Sequence, residues 1–111
     1  MACCAIARSL GYGAYSVEEI GDDRLVLVAS AEFESPWCRV VRADRCPTSG
    51  WFMQGAAIAL LELATRVDWS STAPLTDAFA AFAEPAWVAR QTESLAVGDA
   101  VSRVVVERRP S

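Results

Sequence analysis

The most apolar stretch of the chain runs from Cys46 to Val67, CPTSGWFMQGAAIALLELATRV. Between Trp51 and Val67 only Gln54, Glu62, Thr65 and Arg66 are clearly polar, too few to cover more than a narrow stripe of an α-helix. The pattern predicts one long helix. Pro47, Thr48, Ser49 and Gly50 open it, with Ser49 as the expected N-cap, and Asp68, Ser70, Ser71 and Pro74 end it. Most of its circumference needs cover, from the rest of the chain, a partner or a ligand. Gly55, Ala56, Ala57 and Ala59 let another backbone or a flat molecule come close. A central core helix and a helix whose Trp51-Phe52-Met53 end lines an apolar pocket are compatible readings.

Around this helix the pattern changes period. Ala2 to Leu10 permits a short helix with Ala2, Ile6 and Leu10 on one side, stopped by Gly11 and Gly13. Ala14 to Ile20 and Leu25 to Phe33 read as strands joined by the turn Gly21-Asp22-Asp23, a β-hairpin. The first half of the second strand is apolar on both faces, as in a central strand. Ser35-Pro36 is expected to break that run, and Trp37 to Arg42 suits either a short strand or the lead-in to the long helix. Beyond the loop from Asp68 to Pro74, Leu75 to Ala83 reads as a helix with Thr76 as cap, closed by Glu84-Pro85. Trp87 to Leu95 and Ala100 to Arg108 form a second hairpin about Val97-Gly98-Asp99. The predicted class is α+β, an antiparallel sheet of two hairpins with the long apolar helix packed on one face.

Composition narrows the function. One domain accommodates 111 residues, residues 1–111. A hydrophobic share of 53% is high and suggests a dimer face or an apolar cavity. The net charge of −4 argues against nucleic acid and an anionic membrane surface as partners. The chain contains no histidine, which removes Ser-His-Asp and Cys-His catalysis and histidine-ligated metals together. No apolar run reaches the length of a membrane span. The start MACCAIARSL lacks the basic and long apolar regions of a leader. Free thiols in a reducing cytosol, hence a cytoplasmic protein, are the default for Cys3, Cys4, Cys38 and Cys46.

Three segments carry a family resemblance. ESLAVGDAVSRVVV, Glu93 to Val106, resembles the closing hairpin motif of the 4-vinyl reductase domain family. GWFMQGAAIALL, Gly50 to Leu61, resembles that family's preceding glycine-bearing helix, and SLGYGAYSVEEI, Ser9 to Ile20, its entry into the first hairpin. The resemblance implies an apolar pocket between a sheet and helices, in a fold similar to the dimeric tethering subunits of the TRAPP complex. It also implies that the domain is short at its N-terminus compared with sensor members. Many members hold zinc through hairpin cysteines, an upstream cysteine and an acidic residue. Here Ser94, Ser102 and Gly50 stand at the thiolate positions, and Gln91, with Glu93 close by, at the acidic one. Serine and glycine do not make a structural zinc site, and Cys46 alone adds only one thiolate. No metal or other cofactor is therefore expected, and a cross-strand hydrogen-bonded pair is the expectation for Ser94 and Ser102.

The remaining polar groups offer little chemistry. Cys38 and Cys46 suit buried free thiols better than a disulfide. Arg39, Arg42 and Arg45 suit a solvated face as well as an activated thiol. Cys3-Cys4 is compatible with acylation but reads more simply as a loose terminus. The paired carboxylates Glu18-Glu19 and Glu32 with Glu34 read as solvated strand edges. Trp37, Trp51 and Trp87 each start an element and are expected around one rim. The candidate ligand-binding residues are Trp37, Trp51, Phe52, Gln54, Gly55 and Trp87, with no catalytic residue. The function expected is a non-catalytic, homodimeric binding domain for an apolar or aromatic small molecule. Two other classes stay open: an enzyme or accessory factor acting on an aromatic or tetrapyrrole-like substrate, and a protein–protein interaction module.

Overall fold

The computed structural model describes residues 2–41 and 51–110, the side chains of residues 2, 3, 7 and 38–41 excepted. In chain order the elements are α1 (Ala2–Ser9), β1 (Gly13–Ile20), β2 (Arg24–Glu32), α2 (Glu34–Val41), α3 (Trp51–Arg66), α4 (Pro74–Ala83), β3 (Trp87–Glu93) and β4 (Ser102–Arg108). The four strands form one antiparallel sheet in the order β1-β2-β4-β3. The architecture is α+β, as the alternating patterns predict, and both hairpins form.

The turns have the expected chemistry. Gly21 donates its N–H to the Arg24 carbonyl at 2.8 Å, which closes the first hairpin. Gly98 closes the second at φ +93°, a conformation that costs glycine little and other residues more. The two hairpins join through their inner strands, with Leu25 opposite Val106 and Leu27 opposite Val104. On one face Leu25, Ala29, Val104 and Val106 form the core with Trp87 and with Met53 and Ala57 of α3. By strand alternation Val26 and Val105 point to the opposite face. Arg90–Glu107 and Arg103–Glu18 ion pairs lie at alternating positions on that face.

Two local expectations are corrected. Ser35-Pro36 does not break the chain into an extended lead-in: Glu34, Ser35 and Pro36 form the first turn of α2. Proline fits there because a first-turn residue needs no N–H partner inside the helix. Glu32 supplies the cap, its carboxylate accepting the N–H of Glu34 at 3.1 Å and of Ser35 at 3.0 Å. In α4 the cap is not Thr76. The helix starts at Pro74, and the Thr76 N–H donates to the Ala73 carbonyl at 3.1 Å. The long helix is described as Trp51–Arg66, and its expected N-cap, Ser49, lies outside the described residues. Its cover is also partial: Met53, Ala57 and Glu62 are buried, while Trp51 and Leu60 are exposed.

Glu62, one of the few polar residues of α3, is fully buried. Its carboxylate accepts the backbone N–H groups of Ala86 and of Trp87, the latter at 3.0 Å, and pairs with Arg66 at 2.8 Å. Arg66 in turn donates to the carbonyls of Ala81 and Glu84. The buried Glu62 carboxylate and the partly exposed Arg66 thus tie α3 to the end of α4 and the start of β3.

Candidate functional site

A cavity of about 360 Å³ opens between α1, the first hairpin and α3. Cys4, Ile6 and Leu10 line it from the α1 side, and Tyr12, Tyr15 and Leu27 from the hairpin. The α3 wall is Phe52, Met53, Ala56, Ala57, Ala59, Leu60 and Leu63. The spacing Phe52, Ala56, Ala59 and Leu63 places these residues on one helical face. The space exists for two reasons. The α3 positions at its centre are alanines, and α1 packs on β1 while making few contacts with α3. The small side chains of α3 therefore face a gap rather than a partner.

An aromatic cluster stands at the start of α3. The rings of Tyr12 and Phe52 are 4.9 Å apart, those of Phe33 and Phe52 5.4 Å, and those of Tyr12 and Phe33 5.8 Å. Such tilted and edge-on contacts are the favoured geometry for aromatic pairs. Tyr15 donates its hydroxyl to the Tyr12 carbonyl at 3.2 Å, which ties the two cavity tyrosines together.

The polar framework beside the cavity is made of two buried carboxylates. Glu34 accepts the N–H groups of Phe52 at 3.0 Å and of Met53 at 3.3 Å, so it caps α3. Glu32 caps α2 immediately before it. The reading of these residues as solvated strand edges is overturned, since both are buried. A carboxylate that accepts several backbone N–H groups at a helix start is stabilised by their aligned dipoles. Burial nevertheless pushes the Glu34 carboxyl above its ordinary value, against the pull of the α3 N–H groups. Burial, with Glu32 and Glu34 nearby, also pushes the Tyr15 phenol well above its usual range.

The sequence-derived candidates separate. Phe52 lines the cavity. Trp51 and Trp37 are about half exposed and are not part of the lining. Trp87 is a core residue, 1% exposed, with its indole N–H on Thr65 Oγ1 at 3.1 Å and Arg108 stacked 4.5 Å from the ring centre. The expected tryptophan rim does not form around this cavity. Gln54 is half-buried on α3 outside the lining, and a Cβ on Gly55 would meet nothing within 4 Å. Ala56, Ala57 and Ala59, read from the sequence as open to a flat molecule, line the cavity, whereas Tyr12, Tyr15, Leu27, Leu60 and Leu63 were not assigned to a pocket by pattern reading. Their signal was the small-residue stripe of α3 taken together with the Gly-Tyr-Gly-Ala-Tyr entry to β1.

At the second hairpin Ser94 and Ser102 are both buried. The Ser94 hydroxyl accepts the Ala96 N–H at 3.1 Å and the Ser102 hydroxyl accepts the Leu95 N–H at 3.0 Å. Both hydroxyls thus hold the turn backbone, where a mutual cross-strand bond was expected. Asp99 completes the turn by accepting the Ser94 N–H at 2.8 Å. Among the described residues no group of three metal-ligating side chains converges. Gly50, Cys46, Arg42 and Arg45 lie outside the described residues, as do the side chains of Cys3, Cys38 and Arg39. Cys4 is a free, half-buried thiol on the cavity wall. Among the described residues, no helix is long and apolar enough to cross a membrane.

No protein-family model matches the chain, and no curated protein matches it at a significant level.

Proposed function

We propose that this domain binds an apolar small molecule, without transforming it, in the cavity between α1, the first hairpin and α3. The observation that carries this reading is the lining: of its thirteen residues all but the two tyrosines and Cys4 are hydrocarbon or thioether side chains or phenylalanine. Binding pockets for small molecules are typically of this size and character, largely apolar with few polar groups. The reading agrees with the resemblance of Gly50 to Leu61 and Glu93 to Val106 to the 4-vinyl reductase domain family. On that view the domain is a cytoplasmic, hydrocarbon-binding member without the zinc ligands.

A hydrophobic fluorescent probe tests it. Probe emission should rise on adding the folded protein and saturate at one probe per chain. Ala56→Phe fills the cavity from α3 and should abolish the signal with little change in melting temperature. Wild-type protein that leaves probe emission unchanged overturns the proposal.

A second reading has its own observation. Leu75, Phe79 and Phe82 form an exposed apolar stripe on α4. Apolar surface of this kind, grouped on one helix face, favours self-association, and the expected homodimer is proposed to form there.

A further inference from the structure

One wall of the cavity is held differently from the others. α1 packs on β1 and makes few contacts with α3. Ile6 of α1, and Leu10 just after it, are each more than half exposed although both line the space. Across the gap Leu60 of α3 is exposed as well. The chain that carries α1 has a fixed point and a joint. The fixed point is Tyr12. Its carbonyl accepts the Phe33 N–H at 3.0 Å and the Tyr15 hydroxyl at 3.2 Å, and its ring lies 4.9 Å from that of Phe52. Gly13 follows, packed so closely that a Cβ would stand 2.7 Å from the Ala31 carbonyl oxygen. On the other side the helix finishes, the Leu10 and Gly11 N–H groups donating to the Ile6 and Arg8 carbonyls at 3.0 and 3.1 Å. Between the two stands Gly11, at φ +81°, with nothing within 4 Å of a Cβ placed there. Glycine changes φ and ψ at little cost, and residues at the ends of elements are those that absorb hinge rotations.

Resting on the binding reading above, we infer that α1 is a lid, hinged at Gly11, that closes over the ligand by swinging Ile6 and Leu10 toward Leu60 of α3. Closing takes these side chains out of water. With the cavity empty the gain is small, because Ala56 and Ala59 are too short to meet the incoming side chains and the walls of the remaining void lack contact atoms. A bound apolar molecule fills that void. It gains contacts with Ile6 and Leu10 on closing, so it binds the closed arrangement more tightly and shifts the population toward it. The same wall then sets how fast the ligand leaves.

The test places spin labels at Arg8→Cys on α1 and Ala64→Cys on α3, both exposed and outside the lining, with the native cysteines replaced by alanine. The probe is N-phenylnaphthylamine, a neutral apolar fluorophore. At saturating probe the distance between the labels should shorten and its distribution narrow. Amide hydrogen exchange of α1 in the unsubstituted protein should slow under the same conditions. Leu10→Ser, at a position mostly exposed without ligand, should leave the melting temperature near that of the wild type but release the probe ~10-fold faster, the size expected from one buried aliphatic side chain. A label distance unchanged with the probe bound overturns the lid and leaves the binding reading standing. If the labelled protein does not fold, α1 exchange that is unaffected by saturating probe in the unsubstituted protein overturns it equally. A probe that never binds the wild-type protein removes the binding reading itself, and the lid with it.

Discussion

Glu34 Oε1 lies 3.0 Å from the backbone nitrogen of Phe52, so the first residue of α2 caps the helix that walls the cavity. The same oxygen accepts the Met53 N–H. Removing the carboxylate in Glu34→Ala leaves these helix-start donors without their acceptor. A cost of about 1–2 kcal/mol is expected, with Gln recovering most of it. Urea unfolding followed by circular dichroism should show this as a lower midpoint at unchanged slope.

The same residue sets a pH dependence. Burial raises the Glu34 carboxyl above its ordinary value of 4.5 in the folded protein. In the window between the unfolded and folded values the native state therefore binds more protons than the unfolded state. Stability linked to this group falls as pH rises through that window, starting near 4.5. Glu34→Gln does not titrate, so its melting temperature should gain on the wild type's between pH ~4 and neutrality. Parallel melting curves across that range would show that burial of Glu34 has no net proton linkage.

Glu62 has the larger effect on the fold. Its carboxylate satisfies the N–H groups of Ala86 and Trp87 and the Arg66 guanidinium, all at a fully buried position. Glu62→Ala leaves the buried Trp87 N–H, the partly buried Ala86 N–H and the partly exposed Arg66 without their acceptor, a loss of about 2–4 kcal/mol. That is a large part of the stability of a domain this size. Glu62→Gln should fall between the two, since it keeps an acceptor for the N–H groups but not the charge. Guanidinium unfolding of the three proteins checks the order.

Gly13 makes a steric prediction. A Cβ there would stand 2.7 Å from the Ala31 carbonyl oxygen and 2.9 Å from the Glu32 Cα, both backbone atoms that cannot step aside. Gly13→Ala must displace the end of β2, and with it the Glu32 cap of α2. A loss of about 1–3 kcal/mol is expected. Gly21→Ala, where nothing lies within 4 Å, should cost less; equal melting temperatures for the two variants would count against this packing.

These residues mark where sequence reading works and where it stops. The hairpins were legible because Gly21-Asp22-Asp23 and Val97-Gly98-Asp99 punctuate alternating runs, and that signal is local. Phe52 was identified because it follows the start of an apolar helix. Leu60 and Leu63 were not, because a helix nearly uniform in hydrophobicity does not reveal which face meets the sheet. Gly55 and Ala56 are neighbours in sequence, yet only Ala56 lines the cavity. Glu32 looked like a solvated carboxylate because it caps an α2 start where Ser35-Pro36 was expected to break the chain, and Glu34 because the helix start it caps lies 18 residues further along. Trp87 looked like a rim residue because the core it joins, Leu25, Ala29, Met53, Ala57, Val104 and Val106, comes mostly from parts of the chain distant in sequence.

The last prediction concerns α4. Leu75, Phe79 and Phe82 follow one another at intervals of about one helical turn, and are 70%, 73% and 44% exposed. The helix is held down along a neighbouring face by the small residues Ala78 and Ala81, both buried. Trp69, 57% exposed in the connection before α4, adds a further ring to the exposed apolar surface of this region. Leaving three large apolar side chains of one helix in water forfeits roughly 1.5–3 kcal/mol for each that a partner would bury. A two-fold pairing of α4 with its copy recovers that on both chains at once, because each stripe meets itself. Phe79→Asp places a charge at the centre of such a contact and changes nothing in the core, since Phe79 makes none of the core contacts. Light scattering at micromolar concentration should give twice the 12.0 kDa chain mass for the wild type and the single mass for Phe79→Asp. The variant should also keep its probe binding, because α4 does not line the cavity. A wild-type protein that stays at the single mass would remove the dimer.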